Sequence, residues 1–383
     1  MHKTFVLAPD SFKESMSAEL ACQAMQRGIE KVFPNAHFIH VPMADGGEGT
    51  ADALVSALNG VKVPCEVTGP LPQQRVASYW GCVEQGKTAI IEMAKANGMH
   101  LLPVAQRNPL VTTTLGTGEM MKQALDQGVT KMIIGLGGSV TNDAGAGMAQ
   151  ALGVKFYDAD DLEVTLGGGQ LHRIKRIDLT GLDPRLKQTE IIIASDVNNP
   201  LCGERGASAI FGPQKGATPD MVQILDDNLR YFADLVAAQL DIHVKDQAGA
   251  GAAGGLGFGL MAFAGAQIRS GVEIVIEQTR LAEHIAQADV VLTGEGGIDF
   301  QTGLGKTPYG VAQVAKRLHK PVIACAGYVG ADIDVLYAEG FTAIFSIVDG
   351  ACDLSSALQM GERNLERTCE NIARLLKMSE RIA

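Results

Sequence analysis

The chain has 383 residues, enough for two domains, and 46% hydrophobic residues, enough for a sizeable core. Its net charge of −11 argues against nucleic acid as a partner, and its 45 glycines cluster in short turns rather than repeats, which excludes a fibrous or disordered chain. The seven cysteines form no CxxC pair and no cysteine–histidine cluster, so reduced thiols in a cytoplasmic protein are expected, without a zinc site.

In chain order, Phe5-Val6-Leu7-Ala8 reads as a strand rather than part of a signal peptide. Pro9 to Ser15 break it, and Ser17 can cap a helix from Ala18 to about Val32, with Leu20, Met25, Ile29 and Val32 on its apolar side. His37 to Met43 is a second strand, running through Ala44-Asp45-Gly46-Gly47-Glu48-Gly49-Thr50 into a helix ending near Leu58. The start of the chain is therefore β-α-β-α, with polar loops at the strand C-termini, where open α/β sheets bind ligands.

From Lys62 to Met93 the pattern changes to short, partly alternating runs divided by Gly and Pro, which read as antiparallel strands. The α/β pattern returns with a helix to Gln127 and then a short buried strand, Met132-Ile133-Ile134. Gly135, Gly137 and Gly138 follow that strand, then Ser139, Thr141, Asn142, Asp143 and an Ala/Gly-rich helix. A strand turning through glycines into a helix exposes backbone N–H groups to an anion, and Asp143 adds a carboxylate for a metal ion beside a phosphate. The same stretch also fits a packing turn in which Asn142 or Asp143 caps the helix.

Ile191 to Ala194 is another buried strand, ending in Ser195-Asp196-Val197-Asn198; a polar stretch from Gly203 to Thr218 and a long helix from about Pro219 to Leu240 come next. Gly249 to Gly259 reads as a glycine-rich loop, either a hinge or a close helix crossing. Asp289 to Thr293 is a strand, followed by the loop Gly294-Glu295-Gly296-Gly297-Ile298-Asp299 and by Gly303-Leu304-Gly305-Lys306-Thr307. Two more β-α units close the chain, the last helix spanning about Ser355 to Leu376. No apolar run is long enough to span a bilayer, so no membrane partner is expected. The α/β pattern at both ends implies one doubly wound domain, residues 1–61 plus 286–383, interrupted by an inserted mixed α/β domain with antiparallel strands, residues 62–285.

Carboxylates recur at the strand ends. Asp10 with Lys13, Asp45 with Glu48, Asp143, Asp196, and Glu295 with Asp299 and Lys306 each sit among Gly, Ser or Thr. Carboxylates, glycine-cradled amides and a lysine are the parts phosphoryl transfer needs. The pattern GxxxxGK[ST] is missing because residue 300 is Phe, no GxGxxG follows the first strand, and the histidines lie outside the glycine loops.

Five stretches in order along the chain carry a resemblance: APDSFKESMSA at Ala8–Ala18, PMADGGEGT at Pro42–Thr50, GLGGSVTNDAGAGMAQALG at Gly135–Gly153, SDVNNPLCGERGA at Ser195–Ala207, and TGEGGIDFQTGLGKTP at Thr293–Pro308. Together they resemble the glycerate kinase family of the bacterial glycerate 2-kinase type. The resemblance implies a flavodoxin-like domain interrupted by a second α/β domain. It also implies ATP-dependent phosphorylation of D-glycerate, usually at the 2-hydroxyl, with Mg2+. Phosphorylation at the 3-hydroxyl and a non-catalytic hydroxy-acid binding protein are the alternatives, and a homodimer is compatible with the chain.

On this reading Asp196 is the general base, and Lys13 with Asp10 completes the catalytic set. Ser11, Gly46, Gly47, Gly137, Gly138, Ser139, Thr141, Asn198, Gly296, Gly297 and Lys306 hold substrate or phosphate. Asp45, Glu48, Asp143, Glu295 and Asp299 are the metal candidates.

Overall fold

The computed structural model describes residues 3–165 and 167–379. The chain divides into two compact units: Met1–Asp45, Asp52–Leu58 and Val272–Ala383 form the first, Gly46–Ala51 and Asn59–Gly271 the second.

The first unit is built on a five-stranded, all-parallel sheet, in the order Ala343–Ser346, Val322–Val329, Val290–Ile298, Thr4–Leu7, His37–His40. Counted along the chain, the order is 2-1-3-4-5, the flavodoxin-like arrangement. The strands are apolar because helices cover both faces of such a sheet. On one face Phe5, Leu7, Met25, Ile29, Leu365, Cys369 and Ile372 form a core with the helices Ala18–Glu30 and Gly361–Ser379. Ser17 caps the first of these, its Oγ accepting from the Leu20 N–H at 3.3 Å. At Gly28 a Cβ would lie 2.1 Å from the Glu366 carbonyl oxygen, so the two helices touch backbone to backbone. The last helix is not continuous from Ser355: Leu354–Gln359 and Gly361–Ser379 are separate, and a Cβ at Gly361 would sit 2.1 Å from Ser15 Oγ.

The stretch Gly294 to Gly297, expected as a loop, continues the strand Val290–Ile298. Four residues of low β-propensity stay extended because Val322–Val329 pairs with them as far as Ile298 opposite Val329. A Cβ at Gly294 would lie 2.1 Å from the Cys325 carbonyl oxygen, so this close pairing excludes a side chain there.

The second unit carries a six-stranded mixed sheet, in the order Gln267–Arg269, Glu190–Ala194, Lys131–Gly135, Thr88–Glu92, Arg75–Val83, Val61–Thr68. The last two strands form an antiparallel hairpin, and Arg75–Val83 also runs antiparallel to Thr88–Glu92; the remaining neighbours are parallel. Pro64 is tolerated because its strand is at the sheet edge. One core packs Trp80, Met120, Met132, Ile134 and Ile193. A second gathers Phe156, Phe232, Phe258 and Phe263 with the long helix Pro219–Leu240. A further two-stranded pair, Lys155–Tyr157 with Arg176–Asp178, was not legible in the sequence.

The units divide between Gly271 and Val272, ahead of the change of pattern at residue 286. The reason lies in packing: a Cβ at Gly310, in the helix Thr307–Arg317, would sit 2.4 Å from Val272 Cγ1, which ties the helix Gly271–Gln278 to the first unit. Among the described residues no helix is long and apolar enough to cross a membrane.

Candidate active site

In the first unit the strand Thr4–Leu7 runs on alongside its neighbour, Ala8 N–H donating to the Leu292 carbonyl at 2.7 Å and Asp10 N–H to that of Gly294 at 2.8 Å. This places Asp10 at the C-terminal edge of the sheet. Its Oδ1 accepts from Ser11 N–H at 2.6 Å and its Oδ2 from Thr307 Oγ1 at 2.5 Å. Burial and the neighbouring Asp45 charge push the Asp10 carboxyl up to about 7, against the pull of those two donors.

Glu295 lies on the adjacent strand. Its Oε1 accepts from Thr302 Oγ1 at 3.3 Å and faces Lys306 Nζ at 3.9 Å. Burial pushes this carboxyl up to about 7 as well; Lys306 opposes the rise, and Asp10 and Asp45 add to it. The charges of Asp10, Asp45 and Glu295 thus act on one another at this edge of the sheet. The residues from Asp10 to Lys13 line it, and a Cβ at Gly296 would come within 3.5 Å of the Lys13 backbone nitrogen. Lys13 itself is exposed.

The structure thus brings together Asp10, Ser11, Lys13, Asp45, Glu295, Gly296 and Lys306. Gly297 lies one step further along the strand, against Tyr328. Asp299 points its chemistry elsewhere: it caps the short helix Phe300–Leu304, Oδ1 accepting from Gln301 N–H at 2.9 Å in a reciprocal box with Thr302.

In the second unit two separated motifs meet. A Cβ at Gly135 would lie 2.6 Å from the Gly46 carbonyl oxygen, one at Gly46 2.5 Å from that of Ala194, and one at Gly137 2.6 Å from Gly47 Cα. The Gly46-Gly47-Glu48 backbone therefore lies across the ends of two buried strands, a contact only glycines permit. Glu48, Asp196 and Asn198 are exposed there, and Gly138 is exposed with φ +75°.

Beyond Gly138 the segment turns inward. Ser139 is 5% exposed and Thr141, Asn142 and Asp143 are fully buried. The expected run from glycine turn straight into helix is not found: the helix is Ala146–Ala151, six residues long, and Gly145 at φ 71° is its cap. Asp143 is not placed to ligate a metal. Its oxygens accept from Thr114 N–H at 2.8 Å, Thr114 Oγ1 at 2.9 Å, Gly145 N–H at 3.1 Å and Gly147 N–H at 3.3 Å. Burial raises its pKa, and those same hydrogen bonds work against the rise. It is a buried clasp between two segments.

The glycine stretch from Gly249 resolves as a close crossing. Its helix, Ala252–Ala264, opens with Ala253, Gly254 and Gly255 at φ 52°, 66° and 88°. A Cβ at Gly254 would lie 2.0 Å from the Thr141 carbonyl oxygen and one at Gly259 2.6 Å from that of Ala144.

Two residues, one in each unit, escape sequence reasoning. Thr307 stands in a GKT triplet, but its bond to Asp10 joins opposite ends of the chain. Lys215 sits in the polar, glycine-bearing stretch before the helix from Pro219; it is 1% exposed, and its ammonium donates to Ser139 Oγ at 2.8 Å and to the Thr141 carbonyl at 2.7 Å.

Among the described residues, no group of three or more His, Cys, Asp or Glu side chains forms a ready metal site. A kinase magnesium ion does not need one, since it takes one or two carboxylates and completes its shell with water and phosphate oxygens. The hard oxygen donors of Asp10, Asp45 and Glu295 fit that requirement.

Comparison with known proteins agrees along the full length. The family model described as "Glycerate kinase family" matches residues 5–377. A glycerate kinase of Haemophilus influenzae is 52% identical over 372 residues, covering 97% of this chain and 98% of that protein. A glycerate 2-kinase of Escherichia coli K12 is 50% identical over 378 residues, covering 99% of each. A crystal structure from Salmonella typhimurium LT2, provisionally assigned as glycerate kinase 2, superposes with a TM-score of 0.88 at 48% identity and covers 100% of both chains.

Proposed function

Because this chain belongs to the glycerate kinase family, an enzyme family that phosphorylates glycerate, we propose that it transfers the γ-phosphoryl group of ATP to D-glycerate, at the 2-hydroxyl. The observation that carries the reading is the Asp10–Glu295 pocket at the C-terminal edge of a flavodoxin-like sheet, with Lys13 and Lys306 beside it. The choice of hydroxyl follows the Escherichia coli relative, whose name specifies the 2-position.

Both units carry groups suited to this chemistry, each considered by itself. In the first, Lys13 and Lys306 offset the charge of the transferring group, and the Ser11 and Lys13 amides bind oxygens. Asp45 and Glu295, with Asp10 beside them, would hold Mg2+, which would offset phosphate charge. In the second, the Gly46, Gly47, Gly137 and Gly138 backbone approaches phosphate closely. Asp196, exposed at the end of its strand, accepts the glycerate hydroxyl proton as the hydroxyl oxygen bonds to phosphorus and the bond to the ADP oxygen breaks. The reaction is placed in the cytoplasm, where ATP is available, and light scattering will test a homodimer.

Incubating the protein with D-glycerate, ATP and Mg2+ and taking a phosphorus NMR spectrum tests the reading. A resonance of 2-phosphoglycerate is expected. A 3-phosphoglycerate resonance would overturn the regiochemistry, and no glycerate-dependent ADP would overturn the kinase reading in favour of binding alone.

A further inference from the structure

Lys215 ends the short turn Pro213–Lys215, and Gly216 follows at φ 92°. A Cβ at Gly216 would lie 2.3 Å from the Arg107 carbonyl oxygen, so a glycine is required where the chain reverses. The lysine is thereby buried beneath the glycine turn, bonded to Ser139 Oγ and the Thr141 carbonyl.

No carboxylate among the described residues lies within ion-pair distance of this ammonium. The charge acting on it is that of Asp143, whose oxygens already serve Thr114, Gly145 and Gly147. Thr141 Oγ1 and Asn142 Nδ2, in the same segment, are buried without a partner. Burial pulls the Lys215 pKa down to about 7, the mark of an ammonium that lacks full compensation. Such a group costs stability, and an apolar side chain of similar volume in its place is often neutral or stabilising. What the lysine does for the molecule therefore has to be sought outside stability.

We propose that Lys215 is a positioning residue for phosphoryl transfer: by holding Ser139 Oγ and the Thr141 carbonyl it sets the Gly137–Gly138 backbone, half-buried at Gly137 and exposed at Gly138, on which nucleotide phosphates lie. The inference rests on the kinase reading above and names a residue that reading does not use. Lys215 touches no substrate; it acts through Ser139 and Thr141.

The test compares wild type, Lys215→Met, Ser139→Ala and the double variant. Binding of Mg2+·ATP without glycerate is measured by calorimetry, and KM, kcat and melting temperature are measured alongside. Lys215→Met should melt no lower than wild type yet bind ATP about tenfold more weakly, with the glycerate KM changed less than about twofold. Ser139→Ala should weaken ATP in the same direction, and the double variant should be little worse than either, because the two act as one unit. Asp10 and Glu295 titrate in the same range in both proteins, so the pH profile of ATP affinity in Lys215→Met should differ from wild type only by lacking the fall that Lys215 deprotonation near 7 contributes. Wild-type nucleotide affinity in Lys215→Met overturns the inference; should that variant not fold, wild-type affinity in Ser139→Ala does so. A wild-type protein that binds ATP but does not turn over glycerate overturns the kinase reading instead, and leaves the binding comparison to decide on Lys215.

Discussion

Thr307 Oγ1 donates a 2.5 Å hydrogen bond to Asp10 Oδ2 across 297 positions of sequence. Thr307 opens the helix Thr307–Arg317, and Asp10 follows the first strand, Thr4–Leu7. The helix N-terminus favours the ionised carboxylate, and so does the hydroxyl; burial and Asp45 oppose both. The bond joins the start of the chain to its final third at the place where chemistry is proposed.

Replacing that hydroxyl should show in a pH profile. Thr307→Val keeps the volume and removes the donor, so the Asp10 carboxyl should hold its proton to higher pH. The acid limb of kcat should move upward, with a loss of stability at pH 8 on the order of 1 kcal/mol. An unchanged limb would show that Asp10 does not titrate in the working enzyme.

The ligand-free protein should lose stability as pH rises from about 4 to about 7. Asp10 and Glu295 start from ordinary values of 3.8 and 4.5 and are both raised to about 7 in the fold. In that window the native state binds more protons than the unfolded chain, so stability falls with pH. Asp10→Asn removes part of the penalty: it should melt higher than wild type at pH 8, by on the order of 1–2 kcal/mol, and flatten the slope. Turnover should meanwhile fall by about a hundredfold or more. Thermal melts of both proteins across this range check the claim.

Asp143→Asn should damage the fold, not metal affinity. An amide keeps one acceptor oxygen, but its NH2 would face the donors of the other, either Gly145 N–H or the Thr114 and Gly147 groups, in a site with no exposure. A loss of about 3 kcal/mol or more is expected, and added Mg2+ should not restore it. Denaturant titration with and without Mg2+ reads both.

Asp196→Asn should leave the fold and nucleotide affinity near wild type, because the side chain is exposed. Turnover at saturating substrates should drop by about a hundredfold or more. Near-normal kcat would remove Asp196 from the base position.

Gly28→Ala offers the contrast of a purely structural lesion. Its Cβ would have to fit 2.1 Å from the Glu366 carbonyl oxygen, forcing the helices Ala18–Glu30 and Gly361–Ser379 apart. A stability loss of about 2–3 kcal/mol is expected, with kcat near wild type below the melting temperature.

Local pattern alone carried much of this molecule. The apolar runs at Phe5, Ile133 and Ile191, the Ser17 cap and the helix from Pro219 follow from side-chain periodicity and turn chemistry, which act over a few residues. So did the recurrence of carboxylates at strand ends, because a strand end and the loop after it are adjacent in sequence. What the sequence could not say is which way each of those groups faces. Gly294 to Gly297 read as a loop and are strand, because a neighbouring strand supplies hydrogen bonds the residues themselves do not favour. Asp143 read as either a metal ligand or a helix cap and is a clasp, because Thr114, twenty-nine positions earlier, folds back onto it. Lys215 stands in a polar stretch that marks no site and is buried, because its acceptors lie on a turn 74 and 76 positions away. Spacing determines local conformation; burial and partnership are set by contacts between distant segments, and these exist only once the chain has folded.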